Sequence, residues 1–320
     1  MKYISVVDRR LLFAFCTSIL LAGCSIHDDL DPCPGYKLTL KVVNAEGDDI
    51  TEAVPGDVPN ASLFIFDEKG NYLETRALDQ DFIAGRREIV LDGYSADAKL
   101  TVVAWGNIDD ADKTTVTKSL KTAVDLKVTI NRTADPEDAS KTDMATSADD
   151  LYFGSLEVIR ASAGDGITVN DTIVIRPRTG EIHIETEGLQ YAINARTLKA
   201  DDPMCNFYLN RTLDSYNYKG ETIGDSVYYN PAGDWGTSTI GKEWYTPKNH
   251  RLCPGEKMDV ALNLNKQLLG RKESDQIDDP ITVEPGQLKY VLIQFGEDGL
   301  ISGVKVSVRP WGVVKEEHEL

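Results

Sequence analysis

The sequence predicts an all-β chain of two tandem β-sandwich domains carried behind a short N-terminal leader. Three observations point there. Apolar residues recur at every second position in segment after segment, the period of a half-buried strand. Turn-forming clusters such as Asp67-Glu68-Lys69-Gly70-Asn71 and Glu297-Asp298-Gly299 separate these segments. Long amphipathic helical patterns are scarce, the best short candidate lying within Asp109 to Thr122, which favours sandwiches over βαβ units. A chain of 320 residues suits two domains, each able to bury its own core.

Residues 1–23 read as a targeting segment outside the fold. Lys2, Arg9 and Arg10 form a positive start, and Leu11 to Ala22 forms an apolar stretch of 12 residues. That is too short to cross roughly 30 Å of hydrocarbon as a helix. It ends in Leu21-Ala22-Gly23-Cys24, which resembles the lipobox of bacterial lipoproteins. The resemblance implies cleavage between Gly23 and Cys24, with Cys24 acylated as the mature N-terminus; two or three acyl chains hold a protein firmly in a bilayer. Residues 24–35 are then a lipidated acidic tether. Its run from Ser25 to Asp31 includes Asp28, Asp29 and Asp31 and resembles the acidic export signals of surface-exposed Bacteroidetes lipoproteins. A plain solvated spacer is a compatible reading.

The strands follow in order. Leu38, Leu40 and Val42 alternate with Thr39 and Lys41; Leu63-Phe64-Ile65-Phe66 and Thr101 to Trp105 are denser runs expected to be more buried. Val124, Leu126, Val128 and Ile130 alternate again, and Asp135 to Asp150 is a polar stretch expected to be a long loop. Ala161 to Asp165 reads as a hinge. The N-terminal domain is therefore expected over 36–160 and the C-terminal domain over 161–320. The latter opens with Ile173-Val174-Ile175 and the alternation around His183, and continues with Val260, Leu262 and Leu264. Tyr290 to Phe295 and Val304, Val306 and Val308 close it.

Composition excludes several functions. The net charge is −18 and the pI about 4.6, so neither nucleic acid nor a polybasic membrane patch is expected. Removing residues 1–23 takes away three basic residues and one acidic one, leaving 31 basic against 51 acidic and a net charge of −20. After cleavage and acylation, Cys33, Cys205 and Cys253 remain as thiols. In an oxidising compartment one disulfide is expected, Cys205–Cys253 being preferred because both lie in one domain. No ligand-spaced Cys/His cluster exists, so no metal site is expected. The chain has no HExxH, GxSxG or P-loop, and neither His183 nor His250 lies near a nucleophile motif. No catalytic residue, no cofactor and no enzymatic activity are expected.

Two weaker signals remain. Asp171-Thr172-Ile173 and Asp225-Ser226-Val227 resemble the O-glycosylation acceptor motif of Bacteroides secreted proteins, with Ser226 the more accessible candidate. Nine of the 25 aromatics fall within residues 207–245. They could pack in the second core, or Trp235 and Trp244 could serve a partner interface or a glycan platform.

Several segments together are similar to the FimB/Mfa2 family of Bacteroidales fimbrial anchor lipoproteins. They are Cys24-Ser25 through Cys33-Pro34, Leu63 to Asp67 with Gly70 and Tyr72-Leu73, and Leu100-Thr101-Val102-Val103-Ala104-Trp105-Gly106-Asn107. Asp150-Leu151-Tyr152-Phe153-Gly154 and Val306 to Trp311 complete the set. The resemblance spans 24–311. It implies two transthyretin-like sandwiches, and a lipidated subunit at the base of a type V fimbrium on the cell outer membrane. It also implies pilin subunits as partners, engaged by strand addition. Polymerising stalk and tip pilins are cut after an arginine; Arg76, in Glu74-Thr75-Arg76-Ala77, lacks a clear maturation context, which favours an anchor. A glycan-binding surface lipoprotein with a host protein or glycan as ligand is the rival expectation.

Overall fold

A computed structural model describes residues 36–52, 58–91, 93–94, 98–138, 140–159, 169–196 and 203–309. The leader, Cys24, Cys33, the expected hinge at 161–165 and the terminal Pro310-Trp311 lie outside the described residues.

The chain opens with β1 (Tyr36–Val42), β2 (Asn60–Asp67), β3 (Tyr72–Asp79), helix α1 (Gln80–Ala84), β4 (Ile89–Leu91) and β5 (Lys99–Gly106). Asp79 caps α1, its carboxylate accepting from the Phe82 N–H at 2.8 Å. Four short strands follow: β6 (Thr114–Val116), β7 (Lys127–Ile130), β8 (Arg132–Thr133) and β9 (Met144–Ala145). Then come β10 (Tyr152–Ile159) and β11 (Val169–Pro177). The remainder is β12 (Gly180–Glu187), helix α2 (Leu189–Ala195), β13 (Cys205–Asn217), β14 (Thr222–Tyr229), β15 (Asp234–Thr237) and β16 (Lys242–Tyr245). It ends with β17 (His250–Leu252), β18 (Asp259–Leu264), β19 (Gln267–Lys272), β20 (Leu288–Phe295) and β21 (Ile301–Arg309). The all-β expectation holds. The helix expected within 109–122 is instead a turn leading into β6, whose Thr114-Thr115-Val116 is a β-branched run that favours strand.

The first sheet runs β3-β2-β5-β10-β11-β1-β4. Only two residue pairs, Tyr152↔Pro177 and Phe153↔Arg176, join β10 to β11, so the sheet folds there into two layers. Tyr36, Leu38, Leu40 and Val42 of β1 meet Leu63 and Ile65 of β2 and Val102 of β5 in one core. Gly154 lies at this corner because a Cβ there would stand 2.2 Å from the Val174 carbonyl oxygen. The second sandwich pairs a sheet of order β15-β16-β12-β20-β21 with a sheet of order β19-β18-β13-β14-β9-β8, with β6 and β7 joined to β13.

Sheet membership departs from a division at residue 160. β11 lies beyond it yet pairs in parallel with β1 along seven residues. β7 lies before it yet pairs with Ser215 to Asn217 of β13. The two sandwiches also share a wall. Ala61, Leu63 and Ile65 of β2 face the first core, whereas Phe64 and Phe66 face the second, together with Val103 and Trp105 of β5. The dense apolar runs in β2 and β5 therefore arise from burial on both faces of this sheet.

Candidate functional site

The shared wall is organised around Trp105. It is fully buried, its ring 4.9 Å from that of Phe153 and 5.5 Å from that of Tyr216 on β13. These are tilted aromatic contacts of the favourable kind. The Tyr216 hydroxyl donates to the Arg178 carbonyl at 2.8 Å, and the Arg178 guanidinium lies 5.1 Å from the Phe153 ring centroid. Burial pushes the Tyr216 phenol well up and lowers Arg178. No nucleophile faces a base here; the cluster welds one sandwich to the other.

The edges of the sheets are the places where another chain could add a strand. Among the described residues these edge strands are β3 and β4, β15, β17 and β21, and β6, β8 and β19. The β3 edge is clamped. Arg76 pairs with Glu74 at 2.7 Å and donates to the Val90 carbonyl of β4, tying the two edges of the first sandwich together across its open side. The arginine noted in the sequence is thus held within a strand, in register with Leu63 of β2.

Residues 30–317 match the family described as fimbrillin-A associated anchor proteins Mfa1 and Mfa2. The chain belongs to this family. The major fimbrium anchoring subunit FimB of Porphyromonas gingivalis is 27% identical over 303 residues, covering 93% of each chain. Its counterpart from strain ATCC 33277 is 29% identical over 304 residues, covering 94% of each. The solved fimbrial anchor protein Mfa2 of Porphyromonas gingivalis superposes with a TM-score of 0.58 at 14% identity, covering 87% of this chain and 98% of its own. Mfa2-family membership bears out the resemblance, and the solved relative shares the fold.

The structure separates the other expected residues. Cys205 and Cys253 are both free and buried, which corrects the expected disulfide. Cys205 opens β13, whereas the Cys253 sulfur lies against the Ser215 carbonyl, about 30 Å further along that strand. A disulfide tolerates only about 7 Å between Cα atoms. Burial pushes the Cys253 thiol up to about 12 and raises Cys205 as well, so neither is a reactive thiolate. Thr172 is exposed on β11, its hydroxyl 3.0 Å from that of Thr39. Ser226 is exposed on β14. Its neighbour Asp225 accepts from Arg132 at 2.7 Å.

Trp235 and Trp244 face each other across β15 and β16, edge to face with centroids 4.9 Å apart. Lys242 lies over Trp235, and both rings pack partly buried against the second core. Of the crowded aromatics, Phe207, Tyr216 and Tyr229 are core residues. Among the described residues no group of acidic, His or Cys side chains is arranged to hold a metal ion.

Sequence reasoning missed the buried charges. Asp214 accepts from Arg132 and from the Ser215 hydroxyl at 2.7 Å. Asp259, fully buried, pairs with Arg211 at 2.8 Å and Arg271 at 3.2 Å. Asp259 lies between Met258 and Val260, the one sequence sign of an enclosed carboxylate, whereas Asp214, between Leu213 and Ser215, carries no such sign.

Proposed function

We propose that this chain is a non-enzymatic, surface-exposed outer-membrane lipoprotein that anchors or initiates a type V fimbrium. Cys24 carries the lipid, and a pilin docks by strand addition at an open sheet edge. The observation that carries this reading is the family match across residues 30–317, together with relatives that are anchoring subunits over nearly their whole length. Two structural features support an anchor over a cleaved pilin. Cutting after Arg76 would remove β1 and β2, which supply Tyr36, Leu38, Leu63 and Ile65 to the first core, rather than a single peripheral strand. Arg76 itself is engaged with Glu74 and Val90.

The test is cellular. In cells carrying Cys24→Ala, fimbriae are expected in the medium instead of the outer-membrane fraction, with this subunit at their bases. Unchanged retention of fimbriae on cells whose variant protein is expressed would overturn the anchoring role.

A further inference from the structure

The outer face of the second sandwich carries a cleft. It holds about 430 Å³ and is lined chiefly by Lys141, Tyr208, Tyr228, Asn263, Leu268 and Arg271. Strand register builds it. Phe207 and Leu209 of β13 point into the core, so Tyr208 points out; likewise Val260 and Leu262 of β18 point in, and Ala261 and Asn263 out. Ala261 pairs with Tyr208 on one side and Arg271 on the other. A small residue thus forms the floor between an aromatic ring and a guanidinium.

The walls are positioned by bonds elsewhere. Tyr228 donates to the buried Asp135 carboxylate at 2.9 Å, fixing its ring 5.8 Å from that of Tyr208. Arg271 is held by its Nε on Asp259. Lys141 stands 5.8 Å from the Tyr208 ring centroid. The Asn263 side-chain oxygen is buried in this wall without a hydrogen-bond donor, a state that costs free energy until a donor arrives.

We infer that this cleft is a saccharide-binding site. β13 and β18 are interior strands, each paired on both sides, so the floor has no free main-chain edge for an added peptide strand. What it offers is side-chain chemistry. The ring face of Tyr208 suits the C–H face of a pyranose. The Asn263 oxygen would accept from a sugar hydroxyl once the amide turns toward the cleft, while Lys141 and the outer nitrogens of Arg271 donate to ring substituents. A concave site with an aromatic wall and a few convergent polar groups is the general form of a small-ligand pocket. The inference is separable from anchoring at Tyr208 and Asn263, which lie on the interior strands β13 and β18, outside the tether, the shared wall and the β19 edge that carries Leu268 and Arg271.

The full mature chain in detergent is screened on an array of neutral and acidic glycans, and hits are titrated by calorimetry. Saturable binding is expected, with at least tenfold weaker affinity for Tyr208→Ala and for Asn263→Ala and little change for Tyr208→Phe. Unaltered circular dichroism and melting temperature establish that the variants fold. A silent array, or affinity indifferent to Tyr208→Ala, overturns the assignment. Fimbrial retention in Tyr208→Ala cells is measured in parallel and is expected to be normal, which separates this outcome from that of the anchoring test.

Discussion

Replacing Trp105 tests whether the two sandwiches are one energetic unit. The side chain is fully buried and bridges Phe153 of β10 to Tyr216 of β13. Truncation to alanine removes the whole indole from a close-packed wall, which costs about 3–5 kcal/mol. At roughly 2–4 °C per kcal/mol for folding units of this size, the melting temperature of Trp105→Ala should fall by about 6–20 °C. Trp105→Phe should behave differently. The indole nitrogen is buried without a hydrogen-bond acceptor, so deleting it forfeits no bond and relieves an unsatisfied donor. The void left is on the order of 40 Å³, worth about 1 kcal/mol, and the relieved donor offsets part of that. Trp105→Phe is therefore expected within about 1 kcal/mol of the parent. The assay is differential scanning calorimetry of both variants. Because β2 and β5 belong to both cores, the entire unfolding endotherm should move in Trp105→Ala. A shift below about 3 °C, or a second transition that stays in place, would refute the shared wall.

Two titratable groups yield pH-dependent expectations. Burial alone would raise the Asp214 carboxyl, but the Ser215 hydrogen bond and the Arg132 guanidinium outweigh it and hold it below its ordinary value. The folded state therefore binds this proton less readily than the unfolded chain. The resulting stability is complete above about pH 4 and is lost as pH falls through the folded value. Arg132→Gln should lower the urea midpoint at pH 7 by the equivalent of about 2–4 kcal/mol, with the gap to the parent narrowing below about pH 4; a gap independent of pH would count against this pair. His250 is the opposite chemistry with the same slope. Its ring is sealed at Nε2, lies 5.1 Å from Tyr229, and is lowered by burial to about 4. The folded state keeps it neutral, so its contribution is intact above about pH 6.5 and declines as pH falls toward the folded value. Imidazole proton shifts followed by NMR should titrate near pH 4 for His250, and a midpoint above 6 would contradict its enclosure.

What could be read from sequence was what is local. Val260, Leu262 and Leu264 point inward as their alternation requires, and the dense runs at 63–66 and 101–105 are buried on both faces. Pairing between distant segments left no such trace. Tyr36 meets Val169 in a parallel ladder, and nothing in either segment encodes the other, so the division at 160 cut through a sheet. The same limit explains the cysteines. Their shared sandwich was legible, but their placement at opposite ends of β13 was not. The cleft was invisible for a related reason. Ala261 and Asn263 read as the solvent-facing half of a strand, and only register with Tyr208 and Arg271 turns that half into a floor and a wall.

The parallel β1–β11 ladder bears on how an anchor would carry force. Eleven residues separate Cys24 from Tyr36, so a tether fully extended to that point reaches about 40 Å. With Cys24 lipidated as proposed, tension from the membrane would enter the fold at Tyr36, the first residue of β1, and would be directed along the strand. Its seven pairs with β11 are then loaded in shear, so that the ladder resists as a set instead of opening one pair at a time. β11 is succeeded by Arg178, whose carbonyl accepts from Tyr216 in the shared wall. The path from tether to second sandwich thus runs through a ladder, an aromatic junction and β13, and each link is a long-range contact. An anchor built this way would yield first by losing the junction, which makes Trp105 the residue where stability and mechanical strength should fail together.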